Sequence, residues 1–116
     1  MRISYIQEKL EKGIYMLATG KGDVRKRLLD AYISFHTLET RDFPLELQDD
    51  WIWINTQLTK YGPLYRVNGS IRQGSVKHTL CKIRNNTGSK IAIKIYNLAY
   101  KIKNMDNIEN KNMKKI

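Results

Sequence analysis

Hydrophobic residues in the first half of the chain recur at the three- and four-residue spacing that is typical of amphipathic helices. The first stripe predicts a helix from about residue 4 to residue 18, with Ser4 and Gln7 spaced as a capping box at its start. Two glycines in the sequence TGKGD end this helix. The apolar positions of the stripe are Ile6, Leu10, Ile14 and Leu17.

A second stripe follows directly and predicts a second helix. Asp23 precedes it, and a carboxylate in that position accepts hydrogen bonds from the N–H groups that a helix start leaves unpaired. His36 lies at the end of the helix, where its charge suits the helix dipole. The apolar positions are Val24, Leu28, Ala31, Tyr32, Phe35 and Leu38.

A third helix is predicted from the sequence TRDFPLELQDDWIW. Asp42 is its expected N-cap, and Pro44 falls in its first turn, where proline is tolerated. Trp51 is the strongest core candidate. Trp53 lies about 200° away on a helix, so we expect it on a flank covered by the loop over 60–70, with an exposed partner anchor as the alternative. The apolar positions are Leu47, Trp51, Ile54 and Leu58.

The second half of the chain has no single period. Residues 60–70 are predicted to be a connector, in which Asn68 followed by Gly69 is also a β-hairpin signal. From residue 70 onward, helical spacing explains more of the apolar positions than strand alternation does. Two helices are therefore predicted, one capped by Ser70 and one continuing to Ile102, with the sequence NNTG as the break between them.

These elements predict an all-α fold, a small five-helix bundle in a single domain over residues 1–103. The chain of 116 residues is long enough for one hydrophobic core. The alternative is an α+β fold with a β-hairpin within residues 64–97. Residues 104–116 are rich in Asn and Lys and lack a persistent apolar face, so we expect a flexible basic tail there.

Composition narrows the class and the setting. Apolar residues make up 41% of the chain and charged residues 28%, as in an ordinary globular domain. No apolar run reaches the roughly 18–20 residues that span a bilayer, and the N-terminus lacks the apolar core of a signal peptide. The sequence therefore predicts a cytoplasmic protein that has no membrane partner. The single cysteine, Cys81, excludes an internal disulfide.

Charge divides the chain into two parts. Residues 1–59, the three-helix unit, hold eight Lys and Arg against nine Asp and Glu, whereas residues 60–116 hold thirteen against two. No acidic residue occurs from Lys60 to Lys103, so the basic helical pair over 70–103 has few local ion-pair partners. Its cations therefore lie on solvated surface or face an anionic partner, within a net charge of +10.

The main functional hypothesis is a non-catalytic protein that binds the phosphate backbone of nucleic acid. Lysines in rows along a helix neutralise phosphates and release counterions, which gives affinity with little sequence specificity. Tyr96 and Tyr100 are candidates for stacking on unpaired bases, or else form the rim of the core. The predicted contact residues are Lys77, Arg84, Lys90, Lys94, Asn97 and Lys101.

Two other interpretations of the basic half stay open. The protein could be a small interaction subunit or inhibitor that docks its basic face on an acidic protein, in a bacterial defence, plasmid or phage setting. The sequence NNTGS also resembles an anion-binding turn in which Gly88 lets backbone N–H groups converge. Thr87 or Ser89 as an ordinary N-cap explains the same sequence equally well.

Reactive side chains are few. His78 and Cys81 stand three residues apart on a predicted helix, but two ligands do not close a zinc site and no third stands at a useful spacing. Neither a metal nor a cofactor is therefore predicted, and Cys81 is expected to be a packing residue.

One short segment resembles an enzyme motif. The sequence RQGSVKH, from Arg72 to His78, is similar to the Arg-x(4–6)-His motif of the HEPN ribonucleases, which are small helical bundles with that motif on a late helix. The resemblance covers seven residues and implies that Arg72 and His78 act in RNA cleavage within a homodimer. An imidazole would move the 2′-hydroxyl proton and a guanidinium would stabilise the charge on the phosphorane.

Overall fold

Five α-helices and one two-stranded hairpin form the part of the chain that the computed structural model describes, residues 3–114, with side chains described for residues 3–105 and 108. The prediction of a small, mostly helical bundle is confirmed. None of the described helices is long and apolar enough to cross a lipid bilayer. The elements are α1 (Ile3–Thr19), α2 (Val24–Phe35), two 3-10 turns (Thr40–Asp42 and Leu45–Leu47), α3 (Gln48–Leu58), β1 (Leu64–Tyr65), β2 (Ile71–Gln73), α4 (Ser75–Lys82) and α5 (Asn85–Lys114).

Helices α1 and α2 make the most extensive helix–helix contact in the described chain. Gly13 lies at a close approach between them, because a Cβ at that position would be 2.8 Å from the ring of Phe35. The predicted start of α2 is confirmed, since the Asp23 carboxylate accepts a hydrogen bond from the N–H of Lys26 at 3.1 Å. The predicted C-terminal position of His36 is also confirmed, because this residue is the C-cap of α2.

The predicted capping box at the start of α1 is wrong. The helix already begins at Ile3, so Ser4 lies inside its first turn. The Gln7 side chain donates to the carboxylate of Glu11 at 3.0 Å, one turn further along the helix. The extent of α1 otherwise agrees with the predicted stripe.

Helix α3 starts later than the sequence predicts. Asp42 accepts a hydrogen bond from the N–H of Glu39 at 2.7 Å and so stabilises a 3-10 turn, where the sequence predicted a cap for α3. The reason is Pro44, since a proline disfavours helical backbone in the residue before it. Phe43 is accordingly extended, with φ −89° and ψ 148°.

A single hydrophobic core combines side chains from both halves of the chain. Trp51 is almost fully buried, as predicted, and its ring stacks on Phe43 at 4.8 Å and meets Phe35 edge-on at 5.6 Å between centroids. Helix α5 contacts α1, α2 and α3, so it closes the bundle. Among the residues of α5 with described side chains, four have fully buried large apolar side chains: Ile91, Ile95, Leu98 and Ile102.

The hairpin signal in the connector is confirmed. The turn contains Asn68 and Gly69, the latter at φ +86°, and Leu64 pairs with Gln73 across the two strands. The prediction that Ser70 caps a helix is therefore wrong, because the chain from residue 71 forms β2. Helix α4 begins five residues later, at Ser75.

The break between α4 and α5 lies at residues 83 and 84, directly before the sequence NNTG in which it was predicted. The sequence NNTGS is already helical, so neither an anion-binding turn nor an N-cap at Thr87 or Ser89 is present. Gly88 has a packing role instead: it is buried, and a Cβ there would lie 2.9 Å from Cγ1 of Val24. The glycine therefore lets the first turn of α5 approach α2.

Helix α5 is longer than the apolar periodicity predicts. Its backbone stays helical to Lys114, whereas the sequence predicts an end near Lys103. Met105 still packs against the core, while Ile108 is exposed. The flexible tail predicted over 104–116 thus falls on this helical extension and, at its last two residues, outside the described part of the chain.

Candidate nucleic-acid interface

Helix α5 carries four of the six predicted contact residues, and two of them face another helix. The ammonium groups of Lys94 and Lys101 each lie 3.1 Å from a carboxylate oxygen of Asp50, in the first turn of α3. Lys94 also lies over the ring of Trp53, 5.7 Å from its centroid. Trp53 is 38% exposed, and the side chain over its ring comes from α5, whereas the sequence predicted cover by the 60–70 loop.

These ion pairs change the acidity of Asp50. Its side chain is only 19% exposed, and burial by itself raises the pKa of the carboxyl. Hydrogen bonds from Lys101 and Lys94, together with their charges, outweigh burial and hold the pKa of Asp50 below its usual value. Lys94 and Lys101 therefore already have an anionic partner inside the protein.

The remaining predicted residues of α5 face solvent. Lys90 and Asn97 are exposed on the same flank of the helix as Lys94. Tyr96 and Tyr100 are also exposed, on the other flank, where they line a depression between α1 and α5 together with Ile14.

A separate cluster of cations surrounds α4. On one flank, Lys77 lines a depression between α2 and α4 together with Lys26 and Cys81. On the other flank, the ammonium groups of Lys82 and Lys60 each lie 5.8 Å from the ring centroid of Tyr61. We call this the α4 surface, and it consists of Lys26, Lys60, Tyr61, Lys77, His78, Cys81 and Lys82.

Two hydrogen bonds fix the Tyr61 side of this surface. The backbone N–H of Tyr61 donates to the hydroxyl of Thr79 at 3.1 Å, and Thr79 is fully buried. Nδ1 of His78 donates to the carbonyl oxygen of Gly62 at 2.9 Å. The chain that leads into β1 is therefore fastened to α4, which holds Lys60 and Lys82 beside the same aromatic ring.

The α4 surface has no internal counter-charge in the described residues. Asp23 borders the depression, but its carboxylate is 2.9 Å from Arg25 and caps α2. The hydrogen bond from the Arg25 side chain, followed by that from the N–H of Lys26, lowers the pKa of Asp23. None of the four lysines forms an ion pair with a carboxylate that the structure describes. Their positive charge is left to solvent or to a ligand.

The structure thus places the predicted contact residues on two separate parts of the surface. Lys77 lies on the α4 surface, and Arg84 is exposed just after α4 ends. Sequence reasoning missed Lys26, Lys60 and Lys82. The acid-free stretch that begins at residue 60 contained the signal for the last two, whereas Lys26 belongs to the acidic half of the chain and joins them only through the packing of α2 on α4.

The residues of the HEPN-like motif lie on different elements. Arg72 is exposed on β2, while His78 is half-buried on α4. The expectation that both stand on one late helix is therefore wrong, because the hairpin extends through residue 73. Cys81 is exposed, so its predicted role as a packing residue is also wrong.

Comparison of the chain with protein-family models, with curated proteins and with solved structures finds no match. Within the described residues, no group of three or more His, Cys, Asp or Glu side chains is placed to hold a metal ion. The function is therefore inferred from the geometry and the charge of the surface.

Proposed function

We propose that the protein binds the phosphate backbone of nucleic acid through the α4 surface and does not catalyse a reaction. The supporting observation is that lysines from α2, from the chain after α3 and from α4 meet around one short helix without a carboxylate partner in the described residues. Each ammonium that contacts a phosphate releases a condensed counterion, and this release drives association.

The kind of cation points to weak sequence specificity. Lysine presents a compact point charge that suits a phosphate, whereas reading a base favours the planar groups of Arg, Asn or Gln. Tyr61 adds an exposed ring, 46% accessible, near two ammonium groups. This ring can pack against a sugar or a base while the lysines hold neighbouring phosphates.

Docking of the same surface on an acidic protein is the second candidate function, in a bacterial defence, plasmid or phage setting. The exposed ring of Tyr61 favours it, because tyrosine is enriched at protein interfaces. Lysine, however, is depleted there. The lysine-dominated composition of the α4 surface therefore favours nucleic acid.

The test is the salt dependence of binding. Affinity for a fluorescent 24-base-pair DNA is measured between 50 and 300 mM NaCl for the wild type and for the triple variant Lys60→Gln, Lys77→Gln, Lys82→Gln. If each lysine neutralises one phosphate, the slope of log K against log salt falls in magnitude by about 2–3 in the variant, and affinity at 50 mM NaCl falls at least about tenfold.

A matched variant controls for net charge. Lys9→Gln, Lys12→Gln, Lys103→Gln removes the same charge from α1 and α5, and its slope should change by less than about one unit. Equal losses in both triple variants would show diffuse attraction and contradict an α4 site. Absence of binding by the wild type at 50 mM NaCl, with retention on an acidic protein after nuclease treatment, would instead establish the second candidate.

A further inference from the structure

The β1–β2 hairpin carries apolar side chains that the core does not use. No residue from Thr59 to Ser75 is buried. Tyr65 and Ile71 are 59% and 55% exposed, and Val67 at the turn is fully exposed, at 110%. Apolar side chains of an antiparallel hairpin usually cover a core on one face. Here they are available to a ligand.

The hairpin is also basic and internally braced. Arg66 and Arg72 are exposed, and the segment contains no acid. Nη1 of Arg66 donates to the carbonyl oxygen of Ile71 at 3.0 Å, across the hairpin. The side-chain oxygen of Asn68 accepts from the N–H of Ser70 at 3.0 Å within the turn. The β1–β2 hairpin therefore has a defined shape without support from the core.

The β1–β2 hairpin is attached to the α4 surface at both of its ends. Two hydrogen bonds hold the residues before β1: the Tyr61 N–H donates to Thr79, and His78 donates to the carbonyl oxygen of Gly62. After β2, Gly74 alone separates the strand from the first residue of α4. A two-stranded ribbon with exposed arginines thus adjoins the lysines that are proposed to bind phosphate.

A ribbon of this width discriminates between duplexes. Paired strands lie about 4.8 Å apart, and the major groove of B-form DNA, about 12 Å wide, admits a two-stranded ribbon. The major groove of an A-form RNA helix is deep and narrow and excludes side chains. A single strand offers no groove, so it gains the phosphate contacts and the Tyr61 ring but no contact with the hairpin.

We infer that the ligand of the α4 surface is double-stranded DNA, with the hairpin in the major groove and the lysines on the flanking phosphates. The inference rests on the proposed function and adds the form of the nucleic acid. Val67 and Ile71 suit contact with thymine methyl groups, and the guanidinium of Arg72 suits a guanine edge or a phosphate.

The test compares three ligands of one sequence at 100 mM NaCl: a 24-base-pair DNA duplex, its single strand and the corresponding RNA duplex. The wild type should prefer the DNA duplex over each of the others by about tenfold or more. The hairpin variant Val67→Ser, Arg72→Gln should reduce this preference to less than about threefold, while its salt slope falls by about one unit at most.

The controls separate this inference from the proposed function. Lys9→Gln removes one charge elsewhere and should keep the full preference, and Arg72→Gln alone should lose part of it. Equal affinity of the wild type for DNA duplex, RNA duplex and single strand would overturn the inference, as would an unchanged preference in the hairpin variant. The proposed function would still stand if the lysine triple variant lost its salt-dependent binding, and both would fail if the wild type bound no nucleic acid.

Discussion

Asp50 forms ion pairs with two of the lysines that the sequence predicts to contact an external ligand. Lys94 and Lys101 stand seven residues apart, two turns of helix, so both ammonium groups can reach one carboxylate on α3. A row of lysines along a helix is compatible with a row of phosphates or with a neighbouring acid, and periodicity does not distinguish them. Which of the two the lysines contact depends on the helix that packs against α5, and no local pattern in the sequence specifies that helix.

Replacing Asp50 by Asn should destabilise the protein by about 1 kcal/mol at pH 7, because it removes both ion pairs and leaves two ammonium groups side by side. Urea denaturation followed by circular dichroism measures the change. Asp49→Asn is the matched control, since Asp49 is exposed in the same helical turn and shares the dipole contribution. An equal loss in both variants would contradict a specific role for the ion pairs.

The same variant should show a defined pH dependence. The pKa of Asp50 is lower in the folded protein than its usual value, so its contribution is complete above about pH 5 and is lost as pH falls through the folded pKa. The difference in unfolding free energy between the wild type and Asp50→Asn should therefore be constant near neutrality. It should shrink progressively as pH falls below about 5 and through the folded pKa. A gap that widens in acid would refute the assigned ion pairs.

At the scale of elements, local signals predicted what depends on neighbours in sequence. The Asp23 cap fixes the start of α2, and the stripes of α1 and α2 are long and regular. The predicted start of α3 is wrong because Pro44 restricts the backbone of the residue before it. The prediction favours a helix from residue 70 over the hairpin, although the helical spacing begins only after Gly74. Short elements carry too few periodic positions for the pattern to decide.

Gly13→Ala should destabilise the protein although alanine is the better helix former. The new Cβ would lie 2.8 Å from the fully buried ring of Phe35, which Trp51 holds in place. Overpacking of this kind costs about 1–3 kcal/mol, against roughly 1 kcal/mol gained in helix propensity. We therefore expect a net loss in the free energy of unfolding, measured by urea denaturation.

Ser4→Ala is the control, since Ser4 is exposed on the same helix and should be neutral or slightly stabilising. A gain in stability from Gly13→Ala would mean that the α1–α2 contact relaxes without strain.

For the whole molecule, charge segregation along the chain does not translate directly into charge segregation on the surface. The structure pairs Lys94 and Lys101, two of the predicted contact residues, with Asp50, and it brings Lys26 from the acidic half to Lys77. The excess of positive charge was visible in the sequence. The grouping of these charges was not, because packing brings Lys26 of α2 to the lysines of α4 and of the chain after α3.

Unneutralised lysines on the α4 surface should make stability depend on ionic strength. Like charges oppose the compact state, and salt screens them over a Debye length of about 10 Å at 0.1 M. The melting temperature should therefore rise by about 2–5 °C between 20 and 500 mM NaCl. The triple variant Lys60→Gln, Lys77→Gln, Lys82→Gln should melt higher than the wild type at 20 mM NaCl and rise less with salt. A wild-type melting temperature that falls with salt would contradict this account.

Helix α5 also sets the order in which the protein can be completed on the ribosome. Its buried residues, from Ile91 to Ile102, supply the last wall of the core and contact α1, α2 and α3. During translation, at about 5–20 residues per second, the apolar faces of the earlier helices stay uncovered until this late segment emerges. The apolar faces of α1, α2 and α3 in the nascent chain are therefore most exposed to chaperones and proteases just before α5 emerges.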